Sequence, residues 1–484
     1  MPDFLLVFGI IAIVLTVTAL SSGLVERAPL SFPLIFLGLG FLLGEKGAGV
    51  LEIGVHDQVL EVVATLTLSL VLFLDALKLQ VHELGKRWLV PALVLGPGTV
   101  IIIGLGALSL HFLLGFGWIV SFLGGAILAS TDPVVMRDIV RDVRIPRSVR
   151  QVLTIEGGTN DIVVLPVILV LIAVATQQGN GLVSWSAFLS KLLLLGPAIG
   201  IFIGAAGSWL VTVVDNRLGI RKEHQALYGI GLVLAAYAAA TAAGGDGFLS
   251  AFFAGLAVVL SNQSLCDCFM EYGEITSEMA MLLAFVLFGA VLSGIWHMVD
   301  LPPALALAAL VIFAIRPGVL GLILSFGRMS WPARLFVSWF GPRGLNSLLL
   351  ALLVVQAGVG GSELLLATVG VVVLASLLVH GGTATPMSAW YGRLAARKTL
   401  AEERESTAPG LFSHDDKEVS RISPEELSRL LTEPDPPVVL DVRSRSSFDA
   451  IGYRIPGSIR VLPDEVSAWA AESPAGRLVV AYCA

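Results

Sequence analysis

Charge is scarce in this chain: Asp, Glu, Lys and Arg make up 14% of its 484 residues, where soluble domains carry roughly a quarter. With 56% hydrophobic residues and a mean hydropathy of +0.87, that shortage excludes a water-soluble globule as the whole of the protein. Cysteine is equally sparse. Cys266 and Cys268, in a stretch read as a short interhelical loop, and Cys483 offer neither a disulfide framework nor paired CxxC metal spacing, so they are read as free thiols. No GxxxxGK[ST] occurs, which argues against transport driven by ATP hydrolysis, and no motif calls for a cofactor. A basic footprint is missing too. The formal net charge is -7, with much of the acidity after residue 400, and nucleic acid is not an expected partner.

What the chain has in quantity is apolar runs. A spanning helix needs roughly 20 mostly apolar residues, because in hydrocarbon the backbone must satisfy its own hydrogen bonds. Runs fall at 3–22, 30–44, 57–78, 89–114, 117–139, 150–175, 187–214, 226–244, 247–262, 276–295, 302–326, 334–357 and 362–389, about thirteen in all. The first has no Lys or Arg before it and is too long for a cleaved leader, so it is read as a span. Positive residues cluster after alternate runs. They are Lys86 and Arg87, then Arg137, Arg141, Arg144, Arg147 and Arg150, then Arg217, Arg221 and Lys222, then Arg328 and Arg334, and finally Arg393, Arg397 and Lys398. The intervening connections, such as 177–181 and 244–247, hold almost none. Because Lys and Arg in short loops are retained inside, the expected topology has an outer N-terminus and a cytoplasmic C-terminus, multi-pass in an inner (plasma) membrane. The fold class is therefore an all-α polytopic membrane protein.

Few ionisable residues remain inside these runs, where they are expensive and face a pathway or a partner. Asp75 lies in the third run. Thr131-Asp132-Pro133 interrupts the fifth, Glu156-Gly157-Gly158-Thr159-Asn160-Asp161 opens the sixth, Arg316-Pro317 sits in the eleventh and Gly341-Pro342-Arg343-Gly344 in the twelfth. Proline at membrane depth removes a backbone bond and frees carbonyls on the preceding turn. Broken helices of this kind are how transporters place half-helix ends and open carbonyls near the bilayer midplane.

In this order and spacing, the motifs resemble the monovalent cation:proton antiporter family of the NhaP type, over essentially residues 1–390. The resemblance implies a homodimer of thirteen-helix protomers with inverted repeats and crossing broken helices, a core domain moving against a dimerisation domain. It also implies that Asp161 is the principal ligand of cation and proton, supported by Asp132 and Asp75, with the Thr131 backbone carbonyl a further sodium ligand. Asn160 beside Asp161 would mark the electroneutral class. One departure stands out: Gly157 occupies the place where many relatives carry serine, so an oxygen near the ion is missing and Thr159 or a water is expected to stand in.

The chemistry has a basis of its own. Sodium, a hard cation, takes oxygen ligands. If Asp161 must hold either a proton or a cation before the core crosses the barrier, one proton exchanges for one cation, and nearby Asp132 and Asp75 couple to its titration. Sodium is the expected cation, with lithium also admitted. Potassium/proton exchange, or a membrane-anchored sulfur-relay protein with a degenerate core, are the alternatives. A lone arginine in hydrocarbon costs at least ~2.5–3.5 kcal/mol on insertion scales, so Arg343 and Arg316 require acidic partners. Glu156 is expected to pair with Arg343, with Arg316 sharing it, as a structural brace.

Composition turns polar beyond residue 390. Residues 391–418 are charged and poor in apolar side chains, as in Ala401-Glu402-Glu403-Arg404-Glu405-Ser406, and read as a linker. Residues 419–484 read as soluble α/β: Ser423-Pro424 starts a short helix, and 438–442 and 478–482 are parallel strands. This segment resembles the first half of a rhodanese domain through Leu440-Asp441-Val442-Arg443, Gly452-Tyr453-Arg454-Ile455-Pro456-Gly457-Ser458 and Tyr482-Cys483, with Cys483 where that family keeps its sulfur-accepting cysteine. The sequence stops at Ala484, before the loop that would stabilise the thiolate, and the usual histidine of the Gly-x-Ile-Pro-Gly region is replaced. The expectation is an incomplete segment, unfolded or truncated and inactive in sulfur transfer.

Overall fold

The computed structural model describes residues 31–79, 89–142, 144–176, 182–261, 263–326, 329–397, 422, 424–432, 436–443, 448, 453–462, 465–473 and 477–482, with 9, 12 and 16. Most of the first apolar run, the Lys86/Arg87 pair, Arg328, most of the linker and Cys483 lie outside these residues. Among the described residues, eight helices are long and apolar enough to cross a membrane, and four shorter apolar ones accompany them.

The chain enters through α1 (Phe32–Leu43) and α2 (Gln58–Leu77). Asp57 caps α2 by accepting the Val59 N–H at 2.8 Å, and no Gly or Pro interrupts the helix until Lys78 ends it. A π-helical turn, Val94–Gly98, containing Pro97, leads into α3 (Thr99–Leu114). The fifth run is broken as predicted: α4 (Trp118–Ala129) stops, Ser130–Asp132 is extended, and α5 (Pro133–Arg141) begins at the proline. Next come α6 (Arg147–Ala175), α7 (Gly196–Leu218), α8 (Lys222–Ala242), α9 (Gly247–Ser261) and α10 (Gln263–Ile295). The loop expected around Cys266 is instead the first turns of α10, since 263–272 contains neither Gly nor Pro to stop it.

α11 (Leu301–Ala309) passes through a π-helical turn, Leu310–Ile315, into α12 (Arg316–Ile323), as a π-helical turn at Lys191–Leu195 leads into α7. The twelfth run is broken in its turn, into α13 (Trp331–Trp339) and α14 (Leu345–Gln356), with 340–344 non-helical between them, and α15 (Ser362–Arg397) follows. The fourth to sixth runs thus match the eleventh to thirteenth: π-turn, broken helix, long helix. This internal correspondence agrees with the repeats that the resemblance implies and that secondary transporters use. Small residues let neighbours close in. A Cβ at Gly40 of α1 would meet the Val286 backbone of α10.

In the C-terminal part, α16 (Pro424–Leu430) precedes strands β1 (Val438–Asp441), β2 (Ile459–Arg460) and β3 (Val479–Tyr482), with α17 (Val466–Glu472) before β3. The sheet order is β2-β1-β3, parallel throughout, as the strand pattern predicts. The expectation of an unfolded segment is corrected here, because Leu440, Val442 and Val461 bury one another with Trp469 packed against them. Asp441 adds a buried ion pair to Arg443 at 2.6 Å. Desolvation raises the pKa of this carboxyl, but hydrogen bonds from Arg443 and Tyr482 outweigh it and hold the value at about 2.

Candidate functional site

The two helix breaks meet at Asp132. Its backbone N–H donates to Pro342 O at 2.9 Å, tying the first break to the second. Its carboxylate accepts the Val134 N–H at 2.8 Å and the Leu345 N–H at 2.7 Å, and so caps α5 and α14 together. Two half-helix N-termini, each with positive dipole character, therefore converge on one carboxylate. Gly344 is required beside it, since a Cβ there would run into the Asp132 carboxylate. Asp132→Ala is expected to lower stability by about 2 kcal/mol or more, the loss of two caps, and Asp132→Asn by less, because one acceptor survives. Thermal unfolding of the purified chain in detergent measures both.

Asp161 lies on α6 and is 3% exposed. One of its carboxylate oxygens accepts from Ser130 Oγ in the first break, and the other from Asn346 Nδ2 in the first turn of α14, both at 2.6 Å. Asn160 donates to Ala129 O at 2.7 Å, satisfying a carbonyl at the end of α4, and its amide nitrogen lies 3.5 Å from Thr131 Oγ1. Thr99, just after the first π-turn, approaches the Asn160 oxygen at 3.5 Å. Asp75 is 2% exposed on α2 and lies against Gly158 of α6. Lys78 Nζ lies 3.8 Å from one Asp75 oxygen, and the other has no hydrogen-bond partner among the described residues.

The structure thus gathers Asp161, Asp132, Asn160 and Thr131 around the crossing, with Asp75 against the same stretch of α6. The Thr159 hydroxyl donates to Ile155 O of its own helix at 2.5 Å. Ser130 supplies a hydroxyl that bonds Asp161 directly. A Cβ at Gly157 would point at the Met136 and Pro133 side chains. Ser130 and Asn346 went unnoticed in the sequence, although each adjoins a helix break, which is the signal that could have found them. Among the described residues no three acidic, His or Cys side chains converge to hold a metal ion. A cation at Asp161 would draw on hydroxyl and backbone oxygens as well.

The expected brace is corrected in its partner. Arg316 takes both Glu156 oxygens, with Nη2 at 2.9 Å, and the same Nη2 donates to Phe340 O at 2.7 Å. Arg343 turns back on its own strand, donating Nη1 to Gly341 O at 2.9 Å, while its Nε and Nη2 have no hydrogen-bond partner among the described residues. The reason is placement: Arg316, directly after the Leu310–Ile315 π-turn, reaches Glu156 of α6, whereas Arg343 is two residues from the carbonyl it meets. Gly341 makes room for this, since a Cβ would overlap the Arg316 guanidinium. Arg137, read as an inside-charge signal, also bridges α5 to α10 through Glu274 at 3.0 Å and Glu278 at 2.6 Å.

The chain is similar to a K(+)/H(+) antiporter NhaP of Alkalimonas amylolytica, 28% identical over 393 residues, covering 80% of this chain. It is likewise similar to a K(+)/H(+) antiporter NhaP2 of Shewanella sp. (strain MR-4), 30% identical over 393 residues and 78% of this chain. It spans 66% of the length of each of these two relatives. Its fold is similar to that of the sodium proton antiporter MjNhaP1 from Methanocaldococcus jannaschii, with a TM-score of 0.64 at 18% identity, over 80% of this chain and 97% of that one. The model of the transmembrane sodium/hydrogen exchanger family matches residues 11–390, which hold both breaks and Asp161, and the chain belongs to that family.

Proposed function

We propose that this chain exchanges a monovalent cation for a proton by alternating access, the two competing for Asp161. One observation carries this reading. Of the four buried carboxylates at the crossing, Glu156 is held by Arg316, Asp132 by two backbone N–H groups and Asp75 by Lys78, whereas Asp161 has only the neutral side chains of Ser130 and Asn346. A buried carboxylate with no positive partner is costly unless it takes up a proton or a cation. Asp161 is therefore the group whose state must change with its occupant. Exchange of one proton for one cation moves no net charge, in keeping with Asn160 in place of a second carboxylate. Asp132, Thr131, Asn160 and Asp75 support the ion, and the chain works as a homodimer with its C-terminus in the cytoplasm, as the resemblance and the charge pattern imply.

Sodium is the cation proposed, with lithium accepted. Potassium is the second reading, favoured by the names of the relatives, which are potassium/proton antiporters. The test uses the intact chain in proteoliposomes loaded with a pH-sensitive dye under an imposed proton gradient. Sodium is expected to collapse the gradient faster than potassium, with no dependence on an imposed membrane potential. Collapse by potassium alone would establish the second reading, and no response to any alkali cation would overturn antiport.

A further inference from the structure

The stretch between α13 and α14 leaves helical geometry at the centre of the fold, and four successive carbonyls there are nevertheless satisfied. Phe340 O is taken by Arg316, Gly341 O by Arg343 and Pro342 O by the Asp132 N–H. Trp339 O, the first of the four, lies 3.1 Å from His380 Nε2, a side chain of α15 that is 2% exposed. At the far end of the break the Arg343 N–H donates to Ser376 Oγ at 2.7 Å, and Ser376 Oγ lies 3.0 Å from His380 Nδ1. His380 Nδ1 also lies 3.0 Å from Ser376 O, so each ring nitrogen faces a carbonyl; in the tautomer with the proton on Nε2 the ring donates to Trp339 O and Nδ1 accepts. Ser376 Oγ then receives the Arg343 N–H on a lone pair and gives its own proton to Nδ1. The pair, one helical turn apart on α15, holds both ends of the break.

Three residues past Arg343, Asn346 donates to Asp161. We propose that Ser376 and His380 are positioning residues for ion exchange: they hold 339–343 so that Asn346 meets Asp161, and thereby set the affinity for the cation. This rests on Asp161 being the ion-binding carboxylate. Neither residue touches the ion; both act through the backbone of α13 and α14.

The experiment takes the full chain with Ser376→Ala, His380→Ala, Ser376→Thr and His380→Gln, reading sodium-dependent proton movement in proteoliposomes and hydrogen–deuterium exchange over 339–346. Both alanine variants are expected to raise the half-saturating sodium concentration about tenfold, the worth of one buried hydrogen bond, with a smaller change in maximum rate and faster exchange at 339–346. The threonine and glutamine variants keep a hydroxyl and an N–H with an acceptor, and should stay within about twofold of the parent on the same scale. Should the alanine variants fail to fold, His380→Asn, too short to reach both partners, replaces them with the same expected outcome. Folded variants with unchanged half-saturation and unchanged exchange would overturn the proposal. So would a glutamine variant as impaired as alanine with maximum rate and half-saturation altered in proportion. If the parent chain moves no cation, the antiport reading fails, and exchange at 339–346 still decides whether the pair holds the break.

Discussion

Asp161→Asn is expected to reduce cation-driven proton movement to the background of empty liposomes while leaving the fold intact. The amide is nearly isosteric with the carboxylate. Its oxygen can still accept from Ser130, and Asn346 can reverse its own amide to accept from the new N–H, so both contacts made at 2.6 Å have replacements. A neutral amide is also cheaper to bury than a charge, so thermal unfolding in detergent should occur at the same temperature or higher. What the variant cannot do is take up a proton or neutralise a cation. Proteoliposome measurements with sodium, lithium and potassium separate the two effects. Residual exchange close to the parent's with any of these ions would remove Asp161 from the centre of the mechanism.

Arg316→Ala is expected to be the most destabilising single change at the crossing. It strips Glu156, 4% exposed, of both its hydrogen bonds and leaves Phe340 O without its donor. Breaking a buried pair by removing one partner costs about 3–5 kcal/mol, because the remaining charge stays desolvated. Arg343→Ala is expected to cost much less. It gives up one bond to Gly341 O and at the same time removes two buried nitrogens that have no partner among the described residues. Replacing Arg316 and Glu156 together by Met and Leu should recover most of the loss, since an apolar pair of similar volume needs no compensation. Unfolding temperatures of the three variants in detergent give the order. If Arg343→Ala were the more damaging, Glu156 would belong to Arg343 after all.

The helix breaks were legible because proline and glycine change the backbone wherever they stand. Pro133 ended one helix and started the next, and the 341–344 stretch could not stay helical. Asp161 was legible for a different reason, since an acid in an apolar run is costly in any fold. Ser130, Asn346, Ser376 and His380 were not. A neutral polar residue in a membrane helix carries little penalty when it can bond to its own backbone, and its sequence neighbours do not reveal whether it does so. Thr159 shows the local bond directly, its hydroxyl turning back to Ile155 O.

The sequence by itself determined that this is a membrane protein of repeated broken helices, with carboxylates and arginines at its centre and a small parallel α/β unit after them. These follow from terms that act on single residues or local runs: the cost of burying charge, the length of an apolar stretch, and the backbone limits of proline. Only the tertiary structure decided which partner each buried group takes. Arg316 and Arg343 are equally expensive in hydrocarbon, and nothing local distinguishes them as partners of Glu156. The choice between them, like the meeting of Asn346 with Asp161 across 185 residues of chain, is set by where two breaks cross, and hydrogen bonding depends on distances that only the packed helices define.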